Sequence, residues 1–232
     1  MMRFSYTEDS CAMWRCVFEK LKNRFGLCRT ACVFLVMVLC IPSMSAFAVE
    51  FCGSLERRQG PWDYTNPQDQ SMLALVEEFH FRNDVFMLRG SLNGLTNNLS
   101  YTLGRFPNHH RALDALSRLA VREGTNQPGT AEYSINCYFE RAMRWRPRDV
   151  GVRLVHAIHH YRSGRVDEAI AEAREGLKLA PNSAELHYNL GLFLVKKGDY
   201  AAARRHAQQA YRQNYPLPGL RQQLERVGQW SN

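Results

Sequence analysis

Three histidines fall within five residues of one another, at His156, His159 and His160. On a helix, His156 and His160 are one turn apart and share a face, which is half of the arrangement a metal ion requires. No Cys, Asp or Glu at matching spacing completes the set, so these imidazoles are read first as fillers of core slots. Metal binding by His156 and His160 is the weaker reading. His109 and His110 follow Pro107 at the start of a helix and are expected to be exposed there. A Gly-rich phosphate loop, a nucleophile elbow and a His-Glu-x-x-His helix are all missing from the sequence. The expectation is therefore a protein that is not an enzyme and carries no cofactor.

The cysteines divide by position. Five of the seven (Cys11, Cys16, Cys28, Cys32 and Cys40) lie in the first 48 residues, and only Cys52 and Cys137 follow. An even pair left in an exported chain can form a disulfide, here tying the N-terminal segment to a helix about 85 residues on. The alternative is that Cys137 is a small buried apolar residue.

The export expectation comes from the first 48 residues. Lys20, Lys22, Arg24 and Arg29 precede an apolar run over 31–41, Pro42 breaks it, and Ala46-Phe47-Ala48 offers a small-residue cleavage site. Together these describe a secretory signal peptide cleaved after Ala48 and a periplasmic or secreted mature protein. Eleven apolar residues fall short of the roughly 20 that a membrane helix needs. The alternative is an uncleaved N-terminal anchor, and the start could be Met1 or Met13. The formal charge is +8, but the first 48 residues hold six basic and three acidic side chains. The remaining 24 basic and 19 acidic residues are dispersed, unlike the clustered footprint of a nucleic-acid binder.

The elements that position these residues are helices with a long period. Val150–Pro181 and Ala184–Pro216 align so that Gly164 falls on Gly198, Ala169 on Ala203 and Ala173 on Ala207, each at a spacing of 34. An earlier unit, Pro107–Gly124, matches Pro181–Gly198 and places Leu116 on Leu190; its second helix is delayed by six residues around Thr125–Thr130. Ile135, Phe139 and Ala142 then take that helix's packing slots. Small residues at fixed places let paired helices approach closely while Leu or Tyr fills the remaining space.

These residues resemble the tetratricopeptide repeat (TPR) family from Asn108 to Pro216. The departures are His156, His160 and Gly176, at places where the family has Leu, Tyr and Ala, and a late Pro216. The stretches Phe51–Glu56, Gly60–Tyr64 and Ser100–Leu113 are also similar to those of exported proteobacterial TPR proteins with no established activity. The fold expected is all-α: an α-solenoid of about three helix pairs over 107–216, preceded by an irregular and helical capping region over 49–106. A C-terminal capping helix follows in 217–232.

In the capping region, Met72, Leu75, Val76 and Phe79 read as one buried stripe, with short helical segments over 81–88 and 92–106. Trp62 and Tyr64 read as covering the array's end in preference to stacking on a ligand. At the other end Leu220, Leu224 and Val227 form the apolar face of the last helix, with Trp230 tucked beneath it.

The resemblance implies that the first helix of each pair lines a concave groove. By register that face carries Arg111, Asp114, Arg118 and Arg122, then Leu154, Ile158, Tyr161 and Arg162, then Glu185, Tyr188, Leu192 and Lys196. Its apolar middle and basic edges suit an extended or helical peptide with acidic flanks. The implied function is a periplasmic adaptor that binds a protein or peptide partner in the cell envelope. The alternative is an accessory subunit of cell-wall or pilus assembly machinery.

Overall fold

The computed structural model describes residues 52–230, and the expected signal peptide and its cleavage site lie outside the described residues. Among the described residues every regular element is helical. A 3-10 turn at Pro67–Asp69 leads into α1 (Gln70–His80), α2 (Asn83–Phe86) and α3 (Leu92–Arg105). Then come α4 (His110–Glu123) and α5 (Ile135–Trp145), α6 (Val150–Arg162) and α7 (Val166–Leu179), α8 (Ala184–Lys197) and α9 (Tyr200–Arg212), and finally α10 (Gly219–Arg226).

Local chemistry sets these boundaries. Asp149, Ser183 and Asp199 accept backbone N–H groups at the starts of α6, α8 and α9, satisfying donors that the helix itself cannot. Gly124 and Gly198 end α4 and α8 in the left-handed region that a side chain disfavours.

The three expected pairs are present, and each second helix also packs on the first helix of the next pair. A further pair precedes them, with α1 packed on α3 and α3 on α4. The region assigned to irregular capping is thus largely a helix pair in its own right, with α2 in its connection. Small residues allow the close approaches. A Cβ on Gly191 would lie 2.4 Å from Leu220 Cδ2, and one on Gly176 would lie 3.0 Å from Leu186 Cδ1. The six-residue insertion folds back onto α3, where Thr130 Oγ1 sits 3.0 Å from Thr96 Oγ1 and donates to Asn97 Oδ1 at 2.7 Å.

Residues 52–60 form an extended strap across α5 and the end of α3. Cys52 and Cys137 are joined in a disulfide, and Arg141 Nη1 donates to the carbonyls of Cys52 and Ser54 at 2.7 and 3.0 Å. Arg144 reaches the Gly53 carbonyl, and Trp62 N donates to the Arg105 carbonyl at 2.8 Å.

Two stripes differ from expectation. In α1 the buried residues are Leu73 and Val76, while Leu75 and Phe79 are 48% and 63% exposed. Helix α1 packs principally on one neighbour, α3, so only a narrow strip of its surface is covered. In α10, Leu220 and Leu224 are fully buried, but Val227 lies just past the last turn and is 42% exposed. Trp62 and Tyr64 pack at the α3–α4 junction, against Phe106 and against His109 and His110.

Candidate functional site

The face formed by the first helices of the pairs is shorter than the register implies, because the chain covers both of its ends. On α4, the Arg111 guanidinium lies 4.6 Å from the Phe86 ring centroid and 5.4 Å from that of Phe81. Arg118 sits 5.0 Å over the same Phe86 ring and donates to the Phe86 carbonyl at 2.7 Å and to Asp114 at 2.9 Å. Arg122 pairs with Glu123 and reaches the Leu88 carbonyl at 3.5 Å. Helix α2 and its exit therefore occupy this part of the face.

At the other end Tyr188 is only 7% exposed, with its ring 4.6 Å from that of Tyr215. Leu154 is also 7% exposed. Both were expected to line the groove, and both belong to the core instead. What stays accessible is a central strip of half-buried Ile158, Tyr161 and Leu192, with Val195 beside them. Exposed Arg162 and Lys196 stand at its edge, and Arg162 donates to Asp114 at 2.6 Å.

The histidine cluster is a packed element. The His156 and His160 rings lie 4.2 Å apart, and His156 is 4.6 Å from the Phe139 ring. The acidic neighbour that spacing did not reveal is Glu172 of α7. It is 3.5 Å from His156 Nδ1 and accepts from Arg153 Nη1 at 2.8 Å. Burial raises the Glu172 pKa, but hydrogen bonds from His156 and Arg153 outweigh that and hold it down at about 2. Among the described residues no group of three or more His, Cys, Asp or Glu side chains is placed to hold a metal ion.

His159 is 2% exposed, and its Nδ1 meets Ser117 Oγ at 2.9 Å. Burial pushes its pKa down to about 3, assisted by the charges of Arg165, His156, His160 and Arg162. The imidazole is therefore neutral near pH 7.

His109 is fully buried, contrary to expectation. It caps α4 by accepting the Ala112 N–H at Nδ1, which leaves the proton on Nε2 to donate to Glu77 of α1 at 3.0 Å. The extra N-terminal helix pair supplies both the cover and the partner.

A second polar cluster was not legible in the sequence at all. Asn108 is fully buried and donates to Asp63 Oδ1 and Asp149 Oδ2, both at 2.8 Å, while accepting the Tyr64 N–H at 3.0 Å. Arg146 donates to Asp63 at 2.6 Å, and His110 closes the chain on Asp149 at 2.8 Å. Burial raises the Asp63 pKa, yet the hydrogen bonds from Arg146, Thr65 and Asn108 outweigh it and hold the carboxyl well below the usual carboxylate range. This cluster joins the N-terminal turn to the starts of α4 and α6. Its groups are mutually satisfied, which identifies it as structural.

Tandem helix pairs with small residues at the crossing points, and a face of first helices running through them, define a helical-repeat protein of the tetratricopeptide type. In agreement, residues 154–217 match the family model described as tetratricopeptide repeat. Among solved structures, the chain is similar to two MamA structures. One, labelled AMB-1, is 18% identical with a TM-score of 0.39, covering 65% of this chain and 85% of that one. The other, labelled MSR-1, is 17% identical with a TM-score of 0.39, covering 62% and 86%. No curated protein sequence matches the chain significantly.

Proposed function

We propose that this protein is a non-enzymatic adaptor that holds an extended or short helical peptide of a partner protein on its first-helix face. The observation that carries the reading is the central strip itself. Ile158, Tyr161, Leu192 and Val195 remain partly open between two ends that the chain covers with its own α2 and its Tyr215–Gly219 linker. An apolar floor edged by Arg162 and Lys196 suits a peptide with apolar anchors and an acidic flank. Repeat arrays offer such surfaces to protein partners, and chemistry in the array would need a converging catalytic set.

The cell envelope is the proposed compartment. The basic, apolar and small-residue segments of residues 1–48 support it, as does a disulfide retained outside that segment. Among the described residues no helix is long and apolar enough to cross a membrane.

The test is photocrosslinking from position 192 in envelope fractions. Wild-type protein should capture a discrete partner, and the pair Arg162→Glu with Lys196→Glu should lose it while keeping the same helical circular dichroism. Capture that survives this charge reversal, or that occurs equally from an exposed second-helix position such as 208, would sink the reading. Fractionation that finds the full-length chain in the cytoplasm would sink the compartment.

A further inference from the structure

A cleft of about 410 Å³ opens where α4 and α6 end side by side, walled by Val121, Thr125, Asn126, His159, Arg162 and Ser163. We propose that it is a carboxylate-binding site, which on the peptide-binding reading above would receive the acidic flank of the partner.

The proton on His159 fixes the polarity of the cleft. Ser117 Oγ is fully buried, and His159 Nδ1 is its one hydrogen-bond partner among the described residues. If Nδ1 carried the proton, the serine hydroxyl would be left with no acceptor. The hydroxyl therefore donates to Nδ1, and the neutral ring carries its hydrogen on Nε2. That Nε2–H is buried and has no partner among the described residues. A buried donor without a partner is uncommon and calls for an acceptor.

The rest of the wall has the same sign. Arg162 uses one guanidinium nitrogen on Asp114 and keeps the others free. The Ser163 hydroxyl and the Asn126 amide make no side-chain hydrogen bond to a described residue, and Thr125 Oγ1 only accepts, from Gln127 N. The carbonyls that would compete as acceptors are already used. Those of Ala120 and Val121 take the N–H groups of Thr125 and Gly124, and those of His159, His160 and Tyr161 take Ser163, Arg165 and Gly164. The charged groups around the ring are Arg165, Arg162, His156 and His160, and all disfavour a cation beside it. Donors without acceptors select an anion, and a planar carboxylate can take the imidazole N–H and a guanidinium N–H together.

This site differs from the central strip in both residues and chemistry. The six-residue insertion builds one wall of it, so an array with an uninterrupted turn at this place would lack Thr125 and Asn126.

The experiment is nitrogen-15 NMR of the histidine rings and arginine Nε groups of the purified protein. The probes are N-acetyl-glycyl-aspartyl amide, its asparaginyl counterpart, and acetate. Before any addition, His159 should show the Nε2–H form of a neutral ring; an Nδ1–H form would overturn the proposal. The aspartyl probe should shift His159 and Arg162 saturably, and the asparaginyl probe should bind at least about tenfold more weakly. Saturation by acetate at comparable concentration would identify a free small carboxylate as a sufficient ligand. Arg162→Gln, an exposed change that cannot unfold the array, should weaken the aspartyl probe by about tenfold. Ser117→Ala should weaken it too, by releasing the tautomer.

Equal response to the aspartyl and asparaginyl probes, or no saturable shift, would overturn the carboxylate site. A silent cleft combined with partner capture that still depends on the central strip would leave the peptide-binding function standing. A responsive cleft in a protein that captures nothing would support the site and sink that function.

Discussion

Replacing both Cys52 and Cys137 with Ala should cost more stability than any single core substitution. The disulfide closes a sequence separation of 85 residues. In the chain-entropy treatment, a loop of that length restricts the unfolded chain by about 4–5 kcal/mol. That is an upper bound, because structure remaining in the reduced unfolded chain removes part of it. The native strap should survive, since Arg141 and Arg144 still hold the carbonyls of Cys52, Gly53 and Ser54. The loss should therefore come from the unfolded side, at about 2–4 kcal/mol.

The assay is equilibrium urea unfolding followed by circular dichroism, with and without dithiothreitol. At a slope of about 2 kcal/mol/M, reduction should lower the wild-type midpoint by about 1–2 M and steepen the transition, because the reduced unfolded chain exposes more surface. The double variant should start at the reduced midpoint and ignore the reductant. Two free thiols by mass spectrometry in the oxidised preparation, or a wild-type midpoint indifferent to reductant, would refute the reasoning.

Three further outcomes follow from the packing. Asn108→Ala strips buried Asp63 and Asp149 of a shared donor and should cost roughly 2–3 kcal/mol, read as a lowered thermal midpoint; an unchanged midpoint would mean water replaces the amide. His159 titrates at about 3 when folded against about 6.5 when unfolded, so its contribution is complete above pH 6.5 and is lost as pH falls from there. Allowing for solvent screening, it should remove about 1–2 kcal/mol between pH 7.5 and 5, a slope that His159→Phe should flatten; His160 and His206, each lowered to about 4 chiefly by burial, act in the same direction. Gly191→Ala puts a methyl 2.4 Å from Leu220 Cδ2 and should speed amide exchange in α10, and protection equal to wild type would show that Leu220 repacks without cost.

The repeat period, the pairing of helices and the second-helix slots at Ile135, Phe139 and Ala142 were all legible, because close helix crossings leave small residues at a fixed spacing. The Cys52–Cys137 pair was suggested by number alone. Leu154 and Tyr188 were misassigned to the groove because register gives a residue's direction on its own helix. It does not say what else the chain lays over that direction. The same gap hid the burial of His109.

Asn108 shows the limit most clearly. It occupies the turn position held by Arg148 and Asn182 in the following repeats, and both of those are exposed. Only the first turn is covered by the segment around Asp63 and Tyr64, so an ordinary turn asparagine becomes the centre of a buried network. By itself, the sequence determined a tandem helical array, through a period that local packing enforces. Tertiary structure alone decided which face stays open, because α2, the strap and the Tyr215–Gly219 linker return to the array from outside its period. Their contacts depend on long-range closure of the chain, which has no periodic trace in the residues.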